Sequence, residues 1–189
     1  MLHPESLIDF KVYEESNEYL GVAQVGLPDI SYITQTLTGA GIAGNVEAVL
    51  IGMVDIMTTT MQFRSCTDAA AKLAKPIAHQ IDLRVAEQFW DSAAGQRVVQ
   101  ADKYVLKIIP KKTAAGTIAP AAAADANGEY STYYYAAFKD GKKLWEIDPH
   151  NYICIIDGVD YMKVVRKALG KLSRMKRRGY CSPARFFEF

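Results

Sequence analysis

Asp140-Gly141 stands between two runs that alternate in period two, and this arrangement dictates an antiparallel hairpin. Aspartate and glycine both accept positive φ, which a two-residue hairpin turn requires. Upstream, Glu129 to Lys139 puts Tyr130, Thr132, Tyr134, Ala136 and Phe138 on one side. Ser131, Tyr133, Tyr135 and Ala137 take the other. Both faces carry aromatics, so both are expected to touch protein. Downstream, Lys142 to Asp148 is the return strand.

The same rhythm recurs along the chain. Asp9 to Tyr13 and Tyr19 to Val25 are short β-prone runs joined by the polar link Glu14 to Glu18. Gly26-Leu27-Pro28-Asp29 is a turn. Ile30 to Leu37 alternates, and a glycine-rich loop follows at Gly39 to Asn45. Val46 to Ile51 and Val54 to Phe63 read as strands. In the second, Met57, Thr59, Met61 and Phe63 share one parity, and Thr58, Thr60 and Gln62 form a polar face. Ile81, Leu83 and Val85 share a face, and Arg97 to Ile109 follows after a loop around Ser92 to Gly95.

Two helices are expected. Asp68 to Ala78 is alanine-rich, capped by Thr67 or Asp68 and ended by Pro76. After the turn at Pro149-His150-Asn151 and a strand over Tyr152 to Ile156, Asp157 is expected to cap the second helix. Asp160 would sit in its first turn. Tyr161, Val164, Val165, Ala168 and Leu169 fall on one stripe, Lys163, Arg166 and Lys167 opposite, and Gly170 stops it. Thr113 to Gly128 is biased towards alanine, but Gly116, Pro120, Asn127 and Gly128 make it a loop. The sum is a mainly β (α+β) chain: an antiparallel barrel or sandwich with one or two flanking helices. Strands and helices do not alternate, which disfavours a doubly wound sheet.

The 189 residues fit one domain with an extension, here a β domain over 1–170 and a basic segment over 171–189. The most apolar stretch, Val46 to Met57, is broken by Glu47 and Asp55, so neither a membrane span nor membrane anchoring is expected. The first sixteen residues lack the pattern of a secretion signal. Cys66, Cys154 and Cys181 are odd in number and far apart, which suits a reducing compartment with free thiols. Net charge of +1 hides an asymmetry: residues 163–189 carry +8 and residues 1–162 carry −7.

The motifs that might carry chemistry have plainer explanations. Gly39-Ala40-Gly41-Ile42-Ala43-Gly44 matches G-x-G-x-x-G, but no helix opens at it and Asp55 is too close to hold a ribose. It reads as a turned glycine loop. His3, His79 and His150 show no ligand spacing and are read as surface or interface residues. Cys66, beside Asp68, is read as a buried thiol, since no partner histidine supports a nucleophile. Asp157 and Asp160 are read as caps. No catalytic residue, cofactor or metal is assigned. The run Tyr133-Tyr134-Tyr135 lacks the basic neighbours that base stacking needs, and is read as a subunit interface. In the basic segment, Lys171, Arg174, Lys176, Arg177 and Arg178 could neutralise phosphates or meet an acidic protein, or remain solvated. Phe186, Phe187 and Phe189 suit docking into a groove.

Several residue sets together resemble one family, the major tail tube protein of contractile-tailed bacteriophages. They are Phe10 to Tyr13, Tyr19 to Ala23, Leu27 to Ile30, the Gly39 to Asn45 loop, Asp140-Gly141, Leu144 to Asp148, Asn151 to Ile153, and Asp157 to Asp160 leading to Ala168-Leu169-Gly170. The resemblance spans roughly residues 8 to 170, and residues 53 to 128 match in element order alone. It implies a subunit of stacked hexameric rings whose strands join a continuous barrel. Implied partners are copies of itself, a sheath protein, and baseplate and tail terminator proteins. DNA would pass transiently through the lumen in a phage; a phage-tail-like bacteriocin would puncture a membrane empty. The place would be a virion or phage-tail-like particle, assembled in the bacterial host cytoplasm. Two features depart from the pattern: the nineteen residues after Gly170 and the scarcity of charge in the 113–128 loop. The competing readings are a nucleic-acid-binding module using the basic segment and, more remotely, a nucleotide-dependent enzyme using the glycine loop.

Overall fold

The computed structural model describes residues 1–15, 18–21, 24–120 and 122–171. The strands are β1 (Leu2–Glu14), β2 (Glu18–Tyr19), β3 (Gln24–Gly26), β4 (Tyr32–Leu37), β5 (Val46–Val54) and β6 (Thr58–Phe63). They continue as β7 (His79–Asp91), β8 (Gln96–Ala114), β9 (Ala126–Lys139), β10 (Lys142–Asp148), β11 (Ile153–Ile156) and β12 (Val159–Asp160). Two short helices, α1 (Asp68–Leu73) and α2 (Lys163–Ala168), complete the described residues. Every pairing is antiparallel, so the mainly β expectation holds.

The main sheet runs β12-β11-β10-β9-β8-β7-β1-β2. It forks at β9. One edge of that strand pairs β8 over its length, and the other pairs β6 through residues 126–131 and β10 through 135–139. Met61, Leu73, Ile81, Leu106, Ile108, Tyr130 and Ile147 belong to one core cluster. They come from β6, α1, β7, β8, β9 and β10, so the sheet must curve around that core. Each such side chain contributes roughly 1.5–3 kcal/mol by leaving water. The parities read from sequence at β6 and β7 hold: Met57, Thr59, Met61 and Phe63 are buried, as are Ile81, Leu83 and Val85. The hydroxyl of buried Thr59 is bonded to that of Thr132 at 2.7 Å.

Several elements depart from the sequence reading. β1 begins at Leu2 rather than Asp9, and β8 runs five residues past Ile109. The 113–128 loop therefore shrinks to residues between β8 and β9. α1 has its Thr67 cap, whose hydroxyl accepts from the Ala70 amide at 3.3 Å, but ends at Leu73. Pro76 disfavours helical geometry at Lys75, and the chain turns into β7 instead.

The larger correction concerns Asp157. Its φ is 45° and that of Gly158 is 82°, so the pair forms the turn of the β11–β12 hairpin and caps no helix. The Asp157 carboxylate pairs with Lys142 at 2.7 Å. α2 starts only at Lys163, with no side-chain cap. Asp160 precedes it, accepting from the Met162 amide at 3.1 Å and pairing with Arg166.

Gly128 sets the close packing at the fork. A Cβ there would lie 2.4 Å from the Tyr130 hydroxyl oxygen and 2.7 Å from two ring carbons. Tyr130 is itself fully buried, so its ring has no free space to enter. Gly128→Ala is expected to lower stability by about 2 kcal/mol. A urea midpoint equal to that of the native chain would show that the ring can yield.

Candidate assembly surface

The β4–β5 hairpin stands apart as a second, two-stranded sheet. Leu37 faces Val46 across it, and both are exposed. Val49, Ile51 and Met53 are exposed too, Ile51 at 68%. Such a strand pair, with open edges and apolar side chains in water, invites pairing with another chain. Gly39 to Asn45 is the loop that joins β4 to β5. Gly41 and Gly44 take positive φ there, and a strand follows, so the loop lacks the helix that a dinucleotide turn needs.

A second open edge lies along β1. Among the described residues its far side is met only near its end, by β2 at Tyr13 and Glu14 and by the Leu20 amide, which donates to the Val12 carbonyl at 3.0 Å; residues 2–11 have no strand partner on that side. Pro4 is tolerated there because it faces no ladder partner on that side. Leu7 and Ile8 are exposed on this strand.

The tyrosine run does not form one surface. The register of β9 against β8 slips between Thr132, opposite Ile108, and Tyr134, opposite Lys107. Tyr133 is the extra residue of a bulge, which flips the parity after it. Tyr130 and Thr132 point inward before it, and Tyr135 after it. Tyr135 is buried in the chain's own core, edge-on to Trp145 at 5.6 Å. Tyr134 is half-buried; its hydroxyl donates to Glu146 at 3.0 Å. Burial, and then Glu146, push that phenol's pKa well up. Tyr133 alone is exposed, stacked on His150 with centroids 5.4 Å apart.

Of the basic segment, Lys171 is described: its ammonium lies 3.8 Å from the centroid of Tyr152. Arg174, Lys176, Arg177, Arg178, Phe186, Phe187 and Phe189 lie outside the described residues, as does Cys181. Cys154 is buried, but Cys66 is exposed, contrary to the sequence reading, because it lies in the open turn before α1.

His79, read from sequence as a surface or interface residue, is buried. It is 2% exposed, and its Nδ1 sits 2.6 Å from Glu14 Oε1. Its Nε2 donates to the Lys75 carbonyl at 3.1 Å, and the Lys72 ammonium lies 2.9 Å from Glu14 Oε2. A histidine opening a strand just after Pro76-Ile77-Ala78 gave no periodic signal of this. The cluster ties α1 and β7 to the end of β1. Among the described residues no group of three or more His, Cys, Asp or Glu is placed to hold a metal. No described helix is long and apolar enough to cross a membrane.

A family model, phage tail tube protein FII, matches residues 4–170. The chain belongs to that family. This tail tube protein is thus a structural subunit, as the resemblance implied, and the match ends at Gly170, before the basic segment. No curated protein matches. Among solved structures, the tube protein is similar to the sheath/tube terminator of an extracellular contractile injection system, PVC, in its extended state. The TM-score is 0.52 at 13% identity, covering 72% of this chain and 97% of that one. It is also similar to a chain of the PVC sheath-tube complex in the extended state, with TM-score 0.44, 14% identity, and 69% and 86% coverage. At such identity the first likeness is one of fold.

Proposed function

We propose that this tube protein assembles into stacked hexameric rings, forming the inner tube of a contractile tail. The observation that carries this is the β4–β5 hairpin, whose strands pair only each other among the described residues and whose apolar side chains stand in water. Together with the open β1 edge, it supplies strand edges that a ring of identical copies would close. The reading is of a structural subunit with no catalytic or cofactor role and no membrane anchoring. Its place is a phage or phage-tail-like particle, built in the bacterial host cytoplasm. Its partners are copies of itself, a sheath protein, a baseplate and a terminator. The fold likeness to a sheath/tube terminator supports the last of these. In a phage, DNA would pass through the lumen. The charge of −7 over residues 1–162 suits a wall that repels phosphate. Electron microscopy of the purified protein at rising concentration tests the reading. Rings or filaments are expected; a monomer at every concentration would overturn it.

Of the three tyrosines named from sequence, Tyr133 is assigned to contact with a neighbouring copy, and its exposure supports that reading. The basic residues from Lys171 to Arg178 are assigned to an outward or inter-ring contact, with the sheath or the next ring. Removing residues 171–189 is expected to weaken sheath co-assembly. Unchanged polymerisation and unchanged sheath binding would end that assignment.

A further inference from the structure

An apolar groove of about 540 Å³ lies between β5 and α2. Leu50, Met53, Tyr152, Ile153, Met162 and Val165 line it. Its floor is shaped by Gly52, whose φ of 68° brings β5 so near Met162 that a Cβ there would meet its sulfur at 2.6 Å. Grooves of this size and character typically hold a compact apolar group.

The described chain leaves the fold at the groove's mouth. α2 ends in a Schellman motif: the Gly170 amide donates to the Lys167 carbonyl at 3.1 Å and the Lys171 amide to the Arg166 carbonyl at 2.9 Å. With Gly170 at φ 68°, the chain turns back and sets the Lys171 ammonium over Tyr152, a groove residue. From there the sequence runs through a basic stretch to Phe186, Phe187 and Phe189. The fourteen residues between Lys171 and Phe186 reach up to about 50 Å when extended, far more than the groove requires.

We propose that residues 172–189 fold back on their own chain and seat Phe186, Phe187 and Phe189 in this groove. The aromatic rings supply the apolar volume that the groove lacks. The basic residues between stay in water, available to a partner. Tethering favours the chain's own groove over that of a neighbouring copy, because a short linker holds its end at an effective concentration of about millimolar. Val49, Ile51 and Met53 line this groove too, so the inference gives that end of β5 to the chain's own segment and leaves Leu37 and Val46 to a neighbouring copy.

Disulfide trapping tests it. In a chain carrying Cys66→Ser and Cys181→Ser, the pair Met53→Cys and Glu188→Cys is expected to close within one chain on mild oxidation. Bridges only between chains, or none, would overturn the proposal. A second measurement guards against a misleading variant. Val165→Glu places a charge in the groove wall from the surface of α2. With far-UV circular dichroism unchanged, tryptic cleavage after Arg185 is expected to be about tenfold faster in this variant than in the native chain. Equal cleavage rates would likewise overturn it.

Discussion

The pair Leu37→Lys with Val46→Asp is expected to leave the chain folded but unable to polymerise where the native chain does. The two residues are cross-strand partners near the free end of the β4–β5 hairpin, 42% and 50% exposed. Neither belongs to the core cluster, and opposite charges across the pair support the hairpin's own register. In a ring the same side chains would be covered by a neighbouring copy. Losing their burial and desolvating two charges together costs roughly 3 kcal/mol per contact, or about a 100-fold rise in the critical concentration for assembly. Sedimentation velocity reads that rise, and a thermal melt of the unassembled form checks the fold. Polymerisation at the native concentration, with the melt unchanged, would take this hairpin out of the interface. The groove lies further along β5, so this result and the docking of residues 172–189 fail separately.

What the sequence showed and what it hid have the same physical origin. Where a strand is buried on one face, period two is written in the residues, as in Met57 to Phe63 and Ile81 to Val85. Asp140-Gly141 was legible because alternating runs flank it on both sides. Asp157-Gly158 makes the same kind of turn, yet an amphipathic stripe after it favoured a helix cap. That stripe is largely unburied: Tyr161, Val164 and Leu169 are exposed. An apolar helix face thus signalled an open surface rather than the core. The first residues of β1 carry no alternation, because an edge strand is specified by its long partner β7 rather than by burial. The bulge at Tyr133 was unreadable for another reason. One inserted residue reverses every side chain after it, and nothing local in three consecutive tyrosines marks which is the extra one. The family resemblance was legible, since it rests on turns and loops at the two ends of the domain.

His79→Leu is expected to destabilise the folded chain by about 3 kcal/mol, because it strands a buried carboxylate. The Lys75 carbonyl can only accept, so the His79 proton on Nε2 is fixed, and Nδ1 faces Glu14. Burial pushes the Glu14 carboxyl up, but the contacts with His79 and Lys72 outweigh it and hold its pKa below the ordinary value. Removing His79 leaves the burial and takes away part of the compensation. A double change, Glu14→Leu with His79→Leu, is expected to recover part of the loss, since a shape-matched apolar pair carries no stranded charge. The pH dependence gives an independent measure. A carboxylate with a lowered folded pKa stabilises above its unfolded pKa, about 4.3, and that contribution disappears as pH falls through the folded value. Urea unfolding of the unassembled Leu37→Lys, Val46→Asp chain should therefore show stability falling below about pH 5. Glu14→Gln in that background should be less stable at pH 7 and show a shallower fall on acidification. If its profile merely parallels the parent's, the acid sensitivity belongs to other carboxylates, and the cluster joining β1, α1 and β7 is held by packing alone.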